Sequence, residues 1–452
     1  MASLSFRFCS WRALAVLFWL GVVLPGAVAQ EPTATPEATP AAPEYALVIS
    51  ADHADAFYKK GEEVTYTLRL THGGEPVNGV TVEWRVSKDG VGPFQKGSAE
   101  LANGEAAVKA HLNEAGFLQC MATFQPEGGK KITALSGVAV DPSEIYPSLP
   151  TPEDFDTFWN AKKEELAAVP VNARLTEVKS PEAGVETFDL QADSVGAPVS
   201  GYYARPKGAQ PGTLPAILTT HGAGVRSAGL GGPVAWAKQG LIALDINAHG
   251  LPNGESKAFY REKEKGELKD YRLSGRESRD TIYFQGMFLR LVRAIDFLTT
   301  QPEWDGKTVI VSGTSQGGAQ AIAAAGLDPR VTFFVAGVPA LCDVSGAVAE
   351  RIAGWPKIVP VVKGKPDPTI LEAARYYDAV NFASRAKAPG FFTVGFIDTT
   401  CPPTTVYAAY NHLASEKEIF NDITSGHHNS KEAIQKMHEA VLKHVAAQKG
   451  GN

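Results

Sequence analysis

The period of the apolar positions changes along the chain. In "VTYTLRLT" Val64, Tyr66, Leu68 and Leu70 alternate with polar residues, and in "VTVEWRVS" Val80, Val82, Trp84 and Val86 do the same. Period two with one apolar side predicts half-buried strands. Weaker strands are expected in "AAVKAHL", "GFLQCMATF" and "ITALSGVAV", with the turn compositions "HGGEPVNG", "LANGE" and "PEGGKK" between them. Five or six short strands over residues 44–141 predict a small all-β, immunoglobulin-like sandwich. No acid, base or metal ligand converges there, so a structural spacer is preferred over a sugar-binding accessory module.

From Pro147 the texture is different. "TPEDFDTFWNAKKEELAAV" carries a helix start at Thr151 and Pro152, with Phe155, Phe158, Trp159, Leu166 and Val169 near one face. Strands then alternate with helices: "ETFDLQAD", "VSGYYAR", "PAILTT", "GLIALDI", "TVIVSG", "VTFFVAG", "FFTVGFI" and "EKEIFND". Phe284, Phe288, Leu291, Val292, Ile295 and Leu298 keep helical spacing in one of the connections. The later strands are apolar enough for burial on both faces. Residues 147–448 are therefore expected to form an α/β domain, a mostly parallel eight-stranded sheet flanked by helices. Ser256 to Asp280 interrupts this with fourteen charged residues of both signs, which reads as a solvated insertion, with a lid or subunit contact as the alternative.

The remaining segments bear on location and partners. Arg7 and Arg12, the run "ALAVLFWLGVVL" and the small residues "AVA" before Gln30 predict a cleaved signal peptide over residues 1–29 and hence export, periplasmic or secreted. The run is too short for a bilayer span, so no membrane partner is expected after cleavage. Residues 30–43, "QEPTATPEATPAAP", read as an extended linker. Without residues 1–29 the chain holds 41 basic and 49 acidic residues, a net charge of −8. That balance and the lack of a basic stripe exclude nucleic acid as a natural partner. Cys120, Cys342 and Cys401 are too few and too spread to form a disulfide framework.

The chemistry is concentrated in "VIVSGTSQGGAQAIAAAG". A Gly-Xaa-Ser-Xaa-Gly match alone is weak; by composition a chain like this shows about a quarter of one by chance. Here it follows a buried strand and opens a small-residue helix, the context of a nucleophile elbow, which makes Ser315 the candidate nucleophile. Serine needs a base and the base an orienting acid. Asp398 follows the strand "FFTVGFI", and His427 and His428 lie in the loop "ITSGHHNS" after "EKEIFND", in the order that this architecture uses. Asp343 is the alternative acid, and spacing alone does not decide between them. Two adjacent histidines on a loop, without a third ligand at the right spacing, make a poor metal site. "TTHGAG" stands where the first oxyanion-hole amide belongs, which assigns the hole to the backbone N–H groups of Ala223 and Gln316.

Residues 147–448 resemble the acetyl xylan esterase and cephalosporin-C deacetylase group, carbohydrate esterase family seven. The matches include "PEDFDTFW", "VRAIDFLTTQPEWD", "VSGTSQGGAQAIAAAGLDPRV", "GVPALCD" and "FIDTTCPPTTVYAAYNHL". The resemblance implies an α/β-hydrolase with Ser315, Asp398 and His427 in the triad positions and no metal or organic cofactor. The chain departs from it at three places around the presumed pocket. It has "NAHG" from Asn247 to Gly250 in place of Arg-Gly-Gln, His428 in place of Glu, and Ala223 in place of Tyr. His221, Asn247, His249 and His428 are accordingly the candidate pocket residues. The sandwich is not part of the minimal family enzyme, and the oligomeric state stays open.

The expected function is that of an exported serine esterase removing acetyl groups from polysaccharide or oligosaccharide, with an acetylated carbohydrate or small ester as partner. The enzymatic alternatives are an esterase for another acyl group or sugar and a peptidase of the same fold. An inactive, carbohydrate-binding or surface protein is the alternative of another class.

Overall fold

The computed structural model describes residues 44–450, so the expected signal peptide and linker lie outside the described residues. The first nine strands are β1 (Tyr45–Ala51), β2 (Phe57–Tyr58), β3 (Val64–His72), β4 (Glu75–Pro76), β5 (Thr81–Lys88), β6 (Val91–Glu100), β7 (Glu105–Ala110), β8 (Gly116–Phe124) and β9 (Ile132–Val140). They form a four-stranded sheet of β1, β3, β4 and β7 and a five-stranded sheet in the order β2-β9-β8-β5-β6. Val64, Tyr66, Leu68 and Leu70 are fully buried, as their alternation requires. Two long strands, β1 and β6, were not legible as strands. β1 closes on β3 over seven residue pairs, and β6 is an edge strand whose outward positions are exposed.

The second part contains α1 (Phe155–Ala167), β10 (Arg174–Val178), β11 (Val185–Ala192), β12 (Val199–Pro206), β13 (Leu214–Thr220), α2 (Gly231–Ala237), β14 (Ile242–Ile246), α3 (Lys257–Lys265) and α4 (Phe284–Thr299). It continues with β15 (Trp304–Thr314), α5 (Gln316–Leu327), β16 (Phe333–Gly337), the short hairpin β17 (Val361–Val362) and β18 (Lys365–Pro366), α6 (Pro368–Ala374) and α7 (Ala379–Ala383). β19 (Gly390–Gly395), α8 (Pro403–His412), β20 (Lys417–Asp422) and α9 (Lys431–Gly450) complete it. The main sheet runs β10-β11-β12-β14-β13-β15-β16-β19-β20, antiparallel through the first four strands and parallel from β14 onward. This is the α/β-hydrolase arrangement, with one strand more than the eight read from the sequence. The extra one, β10, is an exposed edge strand whose pattern "RLTEV" carries little apolar signal.

The parallel layout sets the chemistry's location, because the carboxyl ends of β13, β15, β19 and β20 open onto one rim. α5 can lie close to the sheet because Ala319, Ala321, Ala323, Ala324 and Ala325 are all buried against it. α4 buries Phe284, Phe288, Leu291, Ile295 and Leu298 on the face that the periodicity predicts. Sandwich and hydrolase belong to one compact unit. Phe57 and Phe117 meet Phe396 edge-on at 5.7 and 5.0 Å, and the Gln119 amide donates to the Phe396 carbonyl at 3.3 Å. Among the described residues no helix is long and apolar enough to cross a membrane.

Candidate active site

Ser315 occupies the turn between β15 and α5 with φ 60° and ψ −120°. For a residue with a Cβ this is a strained conformation, worth on the order of 1–3 kcal/mol, and the glycines around it make it attainable. A Cβ on Gly317 would stand 2.3 Å from the Thr220 carbonyl oxygen, and one on Gly313 would stand 2.4 Å from the Gly317 backbone. Strand, turn and helix therefore pass one another at distances that only glycine allows. The turn is pinned by the Ser315 N–H, which donates to the Gly337 carbonyl at 2.8 Å, and by the Ser315 carbonyl, which accepts from Ala340 at 3.0 Å.

The structure brings Ser315, His427 and Asp398 together. Ser315 Oγ lies 2.8 Å from His427 Nε2, and His427 Nδ1 lies 2.7 Å from Asp398 Oδ2. A neutral imidazole that donates from Nδ1 to the carboxylate leaves Nε2 to accept the serine proton. Asp398 is fully buried, and its other oxygen accepts the N–H groups of Thr400 and Cys401 at 2.8 and 2.9 Å. The histidine loop is anchored through Asn429, whose amide donates to Thr314 Oγ1 at 3.1 Å while its oxygen accepts from the Thr393 hydroxyl.

Asp343, the alternative acid, is placed elsewhere. Its carboxylate accepts the N–H and hydroxyl of Ser148 at 2.8 and 2.7 Å and faces Arg351 at 3.8 Å. It clamps the segment before α1 onto the hydrolase and does not touch His427.

The "HGAG" loop lies against the nucleophile: a Cβ on Gly222 would be 3.6 Å from Ser315 Cβ. The Ala223 and Gln316 N–H groups have no hydrogen-bond acceptor among the described residues; Gln316 is the first residue of α5 and so has no partner within the helix. Two free donors beside a serine are what a developing oxyanion needs. Two of the three histidines among the pocket candidates, His221 and His249, brace this loop. His221 Nδ1 pairs with the Gly222 carbonyl at 2.7 Å, and its Nε2 accepts the Ala248 N–H at 3.2 Å. His249 lies between Tyr283 Oη at 2.8 Å and the Gly224 carbonyl at 3.2 Å. Burial pushes His221 down to about 4 and His249 to about 3, so both are neutral and each ring can donate from one nitrogen and accept at the other.

Asn247 is not a pocket residue. It is fully buried, its amide donates to the Arg226 and Leu251 carbonyls and its oxygen accepts the His249 N–H, so its polar atoms all serve the turn. His428 is exposed and borders, with His427, a hollow of about 530 Å³ beside α9.

Sequence reasoning missed Tyr271. It sits in the charged insertion, yet it is buried and donates its hydroxyl to the Gln316 side chain at 2.7 Å. The insertion is thus more than a solvated cover. Tyr260, Leu268 and Tyr271, spaced among its charges, turn inward and are buried. Cys401 is a buried free thiol whose backbone N–H serves the acid, donating to Asp398 at 2.9 Å.

Elbow, hydrogen-bonded chain and free amides on a parallel sheet define an α/β-hydrolase. Residues 142–446 match the model of the acetyl xylan esterase (AXE1) family. The chain belongs to that family, which makes it a carboxylic-ester hydrolase. The acetyl esterase Axe7A of Xylanibacter ruminicola is 34% identical over 416 residues, covering 89% of this chain and 90% of that protein. Among solved structures, an acetyl xylan esterase from Paenibacillus sp. R4 is 29% identical with a TM-score of 0.58, covering 68% of this chain and 98% of that one. Acetyl xylan esterase 1 from Thermoanaerobacterium sp. JW/SL YS485 is 26% identical with a TM-score of 0.57, covering 66% of this chain and 97% of that one.

Proposed function

We propose that the protein is an exported serine esterase that removes acetyl groups from an acetylated polysaccharide or its oligomers. The observation that carries the reading is the unbroken chain from Ser315 Oγ through His427 to Asp398 at 2.8 and 2.7 Å. Ser315 Oγ attacks the acetyl carbonyl carbon while His427 Nε2 takes its proton, and the oxyanion is held by the Ala223 and Gln316 N–H groups, worth about 3 kcal/mol each. Collapse of the tetrahedral species breaks the bond to the sugar oxygen, and His427 returns the proton to that oxygen as the alcohol leaves. Water, deprotonated by the same imidazole, then attacks the acetyl-enzyme and releases acetate. Asp398 holds the imidazole in the required tautomer throughout. The acetyl preference is supported by the acetyl xylan esterase family and by the similarity to an acetyl esterase and to acetyl xylan esterases. Export is supported by the charge and apolar pattern of residues 1–29.

The reading of an inactive surface protein rests on the pocket departures alone, and the contacts of 2.8 and 2.7 Å that link Ser315, His427 and Asp398 favour the active reading. The test is acetate release from acetylated xylan beside a panel of 4-nitrophenyl esters of increasing acyl length. Acetate from the polymer and a preference for acetyl are expected; a preference for butyrate or longer overturns the acyl assignment.

A further inference from the structure

Ala223 and Gln316 come from different parts of the fold, one from the loop after β13 and the other from the first turn of α5. Two amides brought together this way serve one oxyanion only if the distance between loop and helix is held. The peptides that flank Ala223 show how the loop is gripped. The Gly222 carbonyl, which shares a peptide plane with the Ala223 N–H, lies 2.7 Å from His221 Nδ1 and accepts from Arg226 Nη2 at 3.3 Å. On the other side the Gly224 N–H donates to the Tyr271 hydroxyl at 3.4 Å, and the Gly224 carbonyl lies 3.2 Å from His249 Nε2.

The chemistry of the groups fixes the direction of the bonds around Gly224. A carbonyl only accepts, so His249 donates from Nε2, and its neutral ring accepts at Nδ1 from the Tyr283 hydroxyl at 2.8 Å. The Tyr271 oxygen accepts from Gly224, so its own proton goes to Gln316 Oε1, 2.7 Å away. One hydroxyl thus ties the loop that carries Ala223 to the residue that supplies the other amide. Gln316 is fully buried and its Nε2 has no partner among the described residues, so the bond to Tyr271 is what orients its side chain.

Tyr271 is itself held. Its ring lies edge-on to His249 at 4.6 Å and stands 5.2 Å from the Tyr283 ring. The insertion that brings it is fastened on both sides: the Tyr260 hydroxyl donates to the Pro252 carbonyl at 2.6 Å, and Arg276 donates to the Ile358 carbonyl at 3.1 Å. Arg279, just beyond, pairs with Asp154 at 2.7 Å and sits over the Tyr376 ring.

We propose that Tyr271 is a positioning residue for ester hydrolysis, setting the spacing of the two oxyanion amides, so that the charged segment Ser256–Asp280 completes the active site. The proposal rests on the serine-esterase reading above. The Tyr271 hydroxyl is taken up by Gly224 and Gln316, and its effect on the reaction needs no contact with substrate. That effect falls on the oxyanion, and hence on the transition state more than on ground-state binding.

The test measures kcat and KM on 4-nitrophenyl acetate and the Ki of a trifluoromethyl ketone, whose hemiketal on a serine places an oxyanion in the hole. Tyr271→Phe and Gln316→Met remove the two ends of one bond; Tyr260→Phe removes a hydroxyl of the same insertion whose partners, Pro252 and Glu255, lie outside the hole. In Tyr271→Phe and in Gln316→Met kcat is expected to fall about tenfold and Ki to rise about tenfold, with KM within about twofold of wild type. The double variant should lose no more than about twofold beyond either single one, since both break the same contact. Tyr260→Phe should stay within about twofold of wild type in all three quantities. A Tyr271→Phe enzyme with kcat and Ki unchanged overturns the proposal, as does a rise in KM alone, which marks a substrate contact. Losses that multiply in the double variant, or a Tyr260→Phe enzyme as impaired as Tyr271→Phe, overturn it as well. Failure of the serine reading shows separately, as turnover of the same ester by Ser315→Ala.

Discussion

Replacing Asp398 by Asn changes one atom type and separates two jobs that the carboxylate performs. Oδ1 holds the acid loop through the N–H groups of Thr400 and Cys401, and Oδ2 orients His427. An Asn oxygen can keep the first pair of bonds. Its amide then faces His427 Nδ1 as a donor, so the ring must accept there and carry its proton on Nε2, where it can no longer take one from Ser315. The reasoning predicts a fall in kcat of about 10⁴, or about 5 kcal/mol of transition-state stabilisation. Because the loop contacts survive, stability should change by no more than about 1 kcal/mol. Stopped assays with 4-nitrophenyl acetate and urea unfolding measure the two. Asp343→Asn is the control: it weakens the clamp on Ser148 and Arg351, so it should cost stability while kcat stays within about threefold. An Asp398→Asn enzyme within tenfold of wild type, or an Asp343→Asn enzyme that loses more activity, refutes the assignment of the acid.

Three further outcomes follow from the same geometry. Gly317→Ala drives a Cβ to 2.3 Å from the Thr220 carbonyl and should lower stability by about 3 kcal/mol together with activity; a melting temperature unchanged in a calorimetric scan contradicts the close approach. Tyr271→Phe removes the hydroxyl from Gln316 and should lower kcat about tenfold with little change in KM, checked by steady-state kinetics. His221 and His249 have folded-state pKa values of about 4 and about 3, below the ordinary 6.5, so between these limits the unfolded chain binds more protons. Their contribution to stability is complete above about pH 6.5 and is lost as pH falls toward 4 and 3. Urea unfolding at a series of pH values should show that loss, and His249→Phe should flatten it; an equal slope in parent and variant goes against the burial of a neutral His249.

The parts of the molecule that were readable from sequence are those in which local and tertiary signals agree. The elbow is legible because glycines, serine and an alanine-rich helix must occur together for strand and helix to pass so closely that a Cβ on Gly317 or Gly313 would stand 2.3–2.4 Å from neighbouring backbone. Strands β13 to β16 announce themselves by being apolar on both faces. β10 did not, because an exposed edge strand has little reason to be apolar. Asn247 and Tyr271 failed in opposite ways. Asn247 lies at a motif departure beside the presumed pocket, but its amide is consumed by the turn it makes; Tyr271 lies in a charged stretch, but its ring is turned inward to Gln316. Position in sequence gives nearness, and only packing gives orientation. The sandwich sheet that meets Phe396 through Gln119 is of the same kind, since the alternation of Glu83, Arg85 and Ser87 marks an outward face without saying how far a neighbouring domain covers it.

The central claim is that Ser315 is a nucleophile activated by His427. Intact and peptide mass spectrometry after incubation with a fluorophosphonate tests it most directly. One equivalent of adduct on the peptide containing Ser315, appearing in step with loss of esterase activity and absent from Ser315→Ala, is the predicted result. A folded, active enzyme that carries no adduct at Ser315, or one inactivated through a different residue, contradicts the account.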